Sequence, residues 1–303
     1  MLPSPPLPVG DARALYRGRV SSLPPLHDVR AKALGLVRRG PRVVLWTEPR
    51  IGLGNFLYHW LQVHKLREAG TEAVALRIAE MEPWLPFFPE VDASYTIARH
   101  EVRVSDRRLP GFFQGWGIHY WPEHLERFVD VALAQTTLPL TPDEDEERVV
   151  VNVRRGDYFE PVFAHRYAFD QDAYLRVALA RSAQVGAPVR RVHVVSDDIA
   201  WCREALTWLG DAAEVTFAPE EPTPVEDFAT LVSARRLVLT SSTFGYWAAH
   251  FSNGLHRDNH QDVVVPWFHD RTMWSGASYH LNPAWTVGRD IPGGWGPPAD
   301  SSA

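Results

Sequence analysis

From residue 148 onward the chain alternates between short β-branched apolar runs and helical stretches, and this alternation restricts the fold more than any other feature. The runs are Arg148–Arg154, Arg191–Val195, Glu214–Phe217, Leu237–Thr240 and Val263–Val265. Helices are expected between them at Asp170–Gln184, Ile199–Leu209, Val225–Ala234 and Thr243–Ser252. Parallel strands need a long crossover, usually a helix, and are buried on both faces, so they read as continuous apolar runs. The pattern therefore predicts a parallel sheet covered by helices.

The first half repeats the theme less clearly. Arg42–Thr47 (RVVLWT) reads as a buried strand, followed by Gly52-Leu-Gly-Asn55 and a helix from Phe56 to Glu68, with Gly70 as its stop. Glu72–Ile78 returns to strand character, with shorter strands expected at Tyr95–Ile97 and Val102–Val104. Pro122 to Gln135 reads as a helix with proline in its first turn. Thr141–Glu147 (TPDEDEE) is acidic and has no apolar period, so it reads as a solvated linker. The expectation is two α/β domains, 41–140 and 148–286, joined by residues 141–147. A proline-rich extension over 1–40 precedes them and a flexible tail over 287–303 follows.

Composition enters to exclude. The net charge of −6 argues against a general nucleic-acid binder, although a local basic pocket for a small anion stays compatible with it. Cys202 is the only cysteine, so neither an intrachain disulfide nor a multi-cysteine zinc site is available. The first residues lack the charged and apolar regions of a signal peptide, and no apolar run is long enough to span a bilayer. A cytoplasmic location is the expectation.

In a parallel sheet, ligands bind at the C-terminal ends of the strands. Three consecutive strand ends here are polar. VVNVRRGDY (Val150–Tyr158) ends in Arg154 and Arg155; strand side chains alternate, so one arginine faces a cleft while the other turns to the flank. An arginine fork suits a diphosphate, while a surface ion pair with Asp157 is the plainer reading. VVSDD ends in Ser196, Asp197 and Asp198: one carboxylate caps a helix, the other is available to a ribose or base, and no third ligand stands at metal spacing. Leu237–Thr240 leads to Ser241, Ser242 and Thr243 at a helix start, which act as N-caps, as an anion cradle, or both. Gly52 and Gly54 either bring backbone amides close to a phosphate or sugar, or form a tight structural turn capped by Asn55. The nicotinamide-dinucleotide fingerprint fails because Leu57 stands where its third glycine belongs. Together these groups equip one sheet edge for a nucleotide diphosphate.

Taken in order, the segments resemble the α-1,2-fucosyltransferase family (glycosyltransferase family 11-like), and more loosely the superfamily that includes the protein O-fucosyltransferases. The matching motifs are Gly52-Leu-Gly-Asn55, then Gly111-Phe-Phe-Gln114 with Tyr120-Trp121, then Asn152-Val-Arg-Arg-Gly-Asp-Tyr158, Ser196-Asp-Asp-Ile-Ala-Trp201 and Ser241-Ser-Thr-Phe-Gly-Tyr-Trp-Ala-Ala249. The resemblance covers roughly 42–270. It implies a GT-B-like fold of two Rossmann-like domains with parallel sheets facing a central cleft. It also implies inverting, metal-independent transfer of fucose from GDP-fucose to a hydroxyl of a glycan or other acceptor, with no cofactor. Carried over position by position, Arg154 holds the donor diphosphate, and Arg155 either supports it or contacts the donor from the other face. Ser242 and Thr243 cradle the phosphates, Phe244 lines the nucleotide site, and Asn152, Ser196, Asp197, Asp198 and Ser241 complete the donor side. Asn55 sits across the cleft near the fucose or the acceptor, with Gly52, Gly54, Gln114, Trp116, His119 and Tyr120. Arg154, Asn55 and Asp157 are the expected catalytic residues. Glu48, His59, His119, Asp157 and Glu160 are the candidate bases, and Phe112, Phe113, Trp116, Tyr120 and Trp121 either stack on sugar rings or pack the core. Asn152 replaces the family's histidine, which removes any titrating role there and leaves a different nucleotide sugar, or a non-catalytic GDP- or sugar-binding relative, as alternatives.

Overall fold

The computed structural model describes residues 38–220 and 223–296. Four strands, β1 (Val43–Leu45), β2 (Ala73–Leu76), β3 (Thr96–Ile97) and β4 (Arg107–Leu109), form a first sheet in the order β3-β2-β1-β4. Six more, β5 (Arg148–Val153), β6 (Arg191–Ser196), β7 (Glu214–Phe217), β8 (Leu237–Leu239), β9 (Val263–Pro266) and β10 (Thr286–Gly288), form a second in the order β10-β9-β8-β5-β6-β7. Every pairing is parallel; Val44 lies opposite Val74 and Arg108, and Val151 opposite Val194 and Val238. This is the predicted mixed α/β architecture with two parallel sheets.

Strand order locates the clefts. In the second sheet the chain runs from β5 outward to β7, then returns to β8 on the other side of β5. In the first it runs from β1 to β3 and returns to β4 on the other side of β1. Each reversal opens a crevice at the C-terminal strand ends, because the two connections leave in opposite directions. The β5/β8 crevice is edged by Arg154 and Thr240–Thr243, and the β1/β4 crevice by the loops that reach Asn55 and Gln114.

One helix joins the halves. The helices are α1 (Leu53–Glu68), α2 (Pro89–Tyr95), α3 (Pro122–Ala134), α4 (Gln171–Val185), α5 (Ile199–Ala205), α6 (Pro224–Ser233) and α7 (Thr243–His256), besides single turns. Helix α7 is buried continuously from Gly245 to Asn253, since its sequence is apolar or small on every side. Trp247 meets Tyr58 of α1 at 4.9 Å and Phe128 of α3 at 5.7 Å; Phe251 meets Phe88 at 5.8 Å and Phe228 of α6 at 5.7 Å. A single apolar cluster therefore runs from β1 and α1 through α7 to β8 and β9.

Gly54 permits this packing. A Cβ placed on it would lie 2.5 Å from the Thr243 carbonyl carbon and Oγ1 and 2.6 Å from the Phe244 nitrogen. The first turns of α1 and α7 touch here, so Gly54 serves helix-to-helix approach. Gly52 has extended φ/ψ and open space around its Cβ position.

Three expectations need correction. Residues 141–147 are not a free solvated tether: Asp143 pairs with Arg148 at 3.0 Å, Asp145 with Arg191 at 2.6 Å and Glu147 with Arg190 at 3.1 Å, which fasten the acidic run to the second sheet. The flexible tail begins too early at 287, because Thr286–Gly288 forms β10 beside β9, Ile291 is buried, and Trp295 stacks on Phe268 at 6.0 Å. Val102–Val104 is not a strand; β4 lies at Arg107–Leu109, whose two arginines carry no apolar signal. The expected extension falls outside the described residues over 1–37, and the end of the tail does so over 297–303. No described helix is long and apolar enough to cross a membrane.

Replacing Gly54 by alanine forces the α1–α7 contact apart and should cost about 1–3 kcal/mol, whereas Gly52→Ala should stay within about 0.5 kcal/mol of wild type. Urea unfolding of both variants checks this: equal effects would show that α1 and α7 are not in contact.

Candidate functional site

Arg154 leaves β5 with its backbone fixed on both sides. Its N–H donates to Thr240 Oγ1 at 2.7 Å, and its carbonyl accepts from Gln171 Nε2 at 2.7 Å. The guanidinium lies between two carboxylates, Asp157 at 2.6 Å and Asp197 at 2.7 Å, and its central carbon sits 5.4 Å from the Tyr158 ring. Burial disfavours this cation, but Asp197 and Asp157 outweigh burial and hold it charged. Gly156 has φ +26°, and a side chain there would collide with Asp197 Oδ2, so glycine is required for the loop to close.

Arg155 turns the other way, although the cause is not strand alternation: both arginines lie past the end of β5, and Arg155 is the N-cap of the Gly156–Phe159 turn. It is sandwiched between Phe159 at 3.9 Å and Trp201 at 3.8 Å, and its Nε donates to Asp198 at 3.2 Å. The aspartates are occupied too. Asp197 Oδ1 accepts from the Arg155 amide at 2.8 Å while its other oxygen holds Arg154. Asp198 caps α5 through the Trp201 amide at 3.1 Å. Ser196, buried, accepts from the Asp198 amide at 2.9 Å. These three groups shape the arginine loop, which the sequence did not distinguish from a role against ribose or base.

At the end of β8, Ser242 caps α7 by accepting from the Gly245 amide at 3.5 Å. Thr243 and Phe244 are half-buried under Gly54, and Phe244 packs edge-on against Phe228 at 5.3 Å. Ser241 and Asn152 are buried, and neither Ser241 Oγ nor Asn152 Oδ1 has a hydrogen-bond partner. Asn152 Oδ1 would meet a Cβ on Gly245 at 2.7 Å, so the small residue of α7 makes room for it.

A second group of polar side chains joins the first half to the segment after β9. Gln114 Nε2 donates to Asn55 Oδ1 at 2.6 Å, and Gln114 Oε1 lies 3.5 Å from Tyr279 Oη and 3.3 Å from His280 Nε2. His280 and His269 are buried side by side with ring centres 4.7 Å apart. Burial pushes His269 down to about 4 and His280 well below the usual imidazole range, so both are neutral at pH 7. Arg166 holds Asp270 at 2.5 Å and pins the loop that carries His269.

Other expected acceptor-side groups are tied into structure. His119 Nδ1 accepts from the Gly115 amide at 2.8 Å, and His59 Nε2 bonds the Gly111 carbonyl at 2.7 Å. Tyr120, expected in the cleft, is core, buried 5.7 Å from Tyr58. Trp116 is half-buried and stacks on His250 at 6.0 Å. Phe113 is half-buried, Phe112 and Trp121 are exposed, and so are Glu48 and Glu160. Thr240, Gln171, His269 and His280 were missed. Thr240 and Gln171 carry no chemistry that a motif would flag, and the two histidines join the site only through the chain's return after β9. Asp227 in α6 was missed as well: burial, then Glu226 and Asp197, raise its carboxyl to about 6. Among the described residues no three His, Cys, Asp or Glu side chains cluster as metal ligands.

Two parallel sheets, with one strand edge carrying an arginine near a helix N-terminus and neutral hydrogen-bonding groups gathered around Asn55 and Gln114, frame the candidate site. The comparisons indicate what it resembles. Residues 112–258 match the family model described as Glycosyl transferase family 11. The chain is 34% identical over 182 residues to human galactoside alpha-(1,2)-fucosyltransferase 1, covering 55% of this chain and 48% of that protein. It is 38% identical over 181 residues to the pig (Sus scrofa) protein of the same name, covering 57% and 44%. The match thus spans about half the length of these relatives. A solved Arabidopsis thaliana FUT1 mutant in complex with GDP superposes with a TM-score of 0.37 at 13% identity, over 75% of this chain and 72% of that one, too low to inform the fold.

The raised Asp227 carboxyl sets a pH effect. The folded state binds this proton more tightly than the unfolded chain, so the associated stability is present below the ordinary aspartate range and is lost as pH rises through about 6. Asp227→Asn should therefore raise Tm relative to wild type above pH 6, with the gain vanishing towards pH 4; a gain independent of pH would show that the carboxyl is not perturbed.

Proposed function

We propose that this protein transfers fucose from GDP-fucose to a hydroxyl of a glycan acceptor of the galactoside kind, with inversion at the anomeric carbon and no metal requirement. The observation that carries the reading is Arg154, fixed at the β5/β8 crevice in front of the N-terminus of α7. The names of the relatives at 34–38% identity support the transferred sugar and the acceptor class.

In this reading the acceptor oxygen attacks the anomeric carbon, the bond to the β-phosphate oxygen breaks, and GDP leaves with the electron pair. Arg154 and the amides that open α7 stabilise the growing phosphate charge. The diphosphate displaces Asp157, the more exposed of the two carboxylates on Arg154, whereas Asp197 stays because the Arg155 amide also holds it. The freed Asp157 carboxylate then stands beside the reacting centre to receive the acceptor's proton. Arg155, between its two aromatic rings, holds the loop.

A second reading has one observation in its favour. Asn152, where the resembling family carries histidine, leaves a buried oxygen without a partner on the donor side. That change favours a nucleotide sugar other than GDP-fucose in the same site.

Thermal stabilisation by GDP, GDP-fucose, GDP-mannose and UDP-glucose, each with and without EDTA, separates the readings, because a ligand of the native state raises Tm by mass action. GDP-fucose should stabilise the protein unaffected by EDTA, and Arg154→Ala should abolish that shift and lower turnover by roughly 100-fold or more. Stabilisation by another nucleotide sugar alone would replace the donor, and full activity of Arg154→Ala would end the assignment of the arginine.

A further inference from the structure

Asn55, Gln114 and His280 come from three separate stretches of chain: the first turn of α1, the loop after β4 and the segment after β9. They form one unbroken hydrogen-bonded row, with 2.6 Å between Gln114 Nε2 and Asn55 Oδ1 and 3.3 Å between Gln114 Oε1 and His280 Nε2. His280 is wholly buried among the rings of Tyr58, Tyr246, His269 and Tyr279, at 5.7, 5.4, 4.7 and 4.1 Å. Its Nδ1 has no partner, so the ring meets hydrogen-bonding groups only through Nε2.

We infer that His280 is a positioning residue which, through Gln114, decides which end of the Asn55 amide faces the substrate. An asparagine amide offers a donor at one end and an acceptor at the other, and a half-turn about its last bond exchanges them. Alone in the first turn of α1, Asn55 would sample both. Gln114 removes the choice: with its NH2 directed at Asn55, only Asn55 Oδ1 can accept, and Asn55 Nδ2 is left to donate to a substrate oxygen. Gln114 has the same ambiguity, and its far end resolves it. A proton on His280 Nδ1 would be buried with no acceptor, so it belongs on Nε2, from which Gln114 Oε1 accepts, and the Tyr279 hydroxyl, 3.5 Å from the same oxygen, adds to the preference. The row ends at His280, whose ring cannot turn within its aromatic nest. Because His280 comes from the second half of the chain and Asn55 from the first, the donor at Asn55 is set only when the two halves are packed together.

The choice of Asn55 as the substrate-facing group rests on the proposed transferase reading, but the polarity of the row does not. Nitrogen-15 NMR of histidine-labelled protein reads the polarity directly. His280 should carry its proton on Nε2; a proton on Nδ1 reverses the row and overturns the inference whatever the enzyme transfers. Kinetics with GDP-fucose and lactose test the consequence. His280→Phe and Gln114→Leu should each lower kcat/KM for lactose by about tenfold to a hundredfold, the scale of a misplaced contact, while the Tm shift given by GDP stays unchanged. Placed on an Asn55→Ala background, His280→Phe should add less than about twofold, because coupled residues are non-additive. A full-sized added loss, or a wild-type rate in His280→Phe, would refute the positioning role. If the wild-type protein transfers nothing from GDP-fucose but His280 carries its proton on Nε2, the transferase reading falls and the row stands.

Discussion

The burial of helix α7 between the two sheets is the constraint on which the rest depends. Its apolar faces pack against α1 and α3 on one side and α6 on the other, and its N-terminus arrives at the β5/β8 crevice. The same first turn touches Gly54. One buried helix therefore sets the distance between the halves, and the strand end that leads into it holds the Arg154 amide through Thr240. A helix this apolar has no stable exposed face, so the halves cannot separate without exposing Trp247 and Phe251.

Around that frame the site is built from charges that are paired before any ligand arrives. Two arginines and three aspartates meet within the arginine loop. Most of these contacts serve geometry: Arg155 is wedged between aromatic rings, Asp198 caps a helix, and Asp197 holds one amide and one guanidinium. The most exchangeable contact is Asp157 on Arg154, about half exposed on the carboxylate side. A desolvated cation with one replaceable partner is suited to meeting a diphosphate, because the incoming anion exchanges one carboxylate for a stronger multi-oxygen acceptor. The second polar group is uncharged, with Asn55, Gln114, Tyr279 and two neutral histidines, which suits hydroxyl groups.

Much of this was legible. Continuous apolar runs between helices announced the parallel second sheet, and its strand ends displayed Arg154, Asp197 and Thr243 together. The two arginines do point apart as expected, but through the turn that follows β5 rather than through alternation along it. The failures share a cause. Residues 287–296 looked loose because glycine and proline dominate them, yet Trp295 finds a ring to cover and Thr286–Gly288 completes a sheet edge. The acidic run 141–147 looked like solvent-facing linker because its arginine partners lie up to 46 residues away. Strand β4 is two exposed arginines and a leucine, and its side-chain anchors, Trp46 under Arg108 and the Pro41 carbonyl under Arg107, lie more than 60 residues back in the chain.

The sequence by itself determined the local terms: which runs are strands, where helices start, and which polar residues stand at strand ends. These follow from side-chain shape, periodicity and capping, which act over a few residues. Only the tertiary structure decided which of those polar residues are free and which are spent on the fold. Arg155 carries the same guanidinium as Arg154, yet its contacts, like those of Ser196 and Asp198, close within the loop, whereas Arg154 holds the half-exposed Asp157. The tertiary structure also brought His269 and His280 side by side and explained Gly54 as a contact between two helices. Those outcomes depend on which groups lie within about 3 Å of one another once the halves pack, and hydrogen bonding over such distances is set by long-range packing that no local pattern encodes.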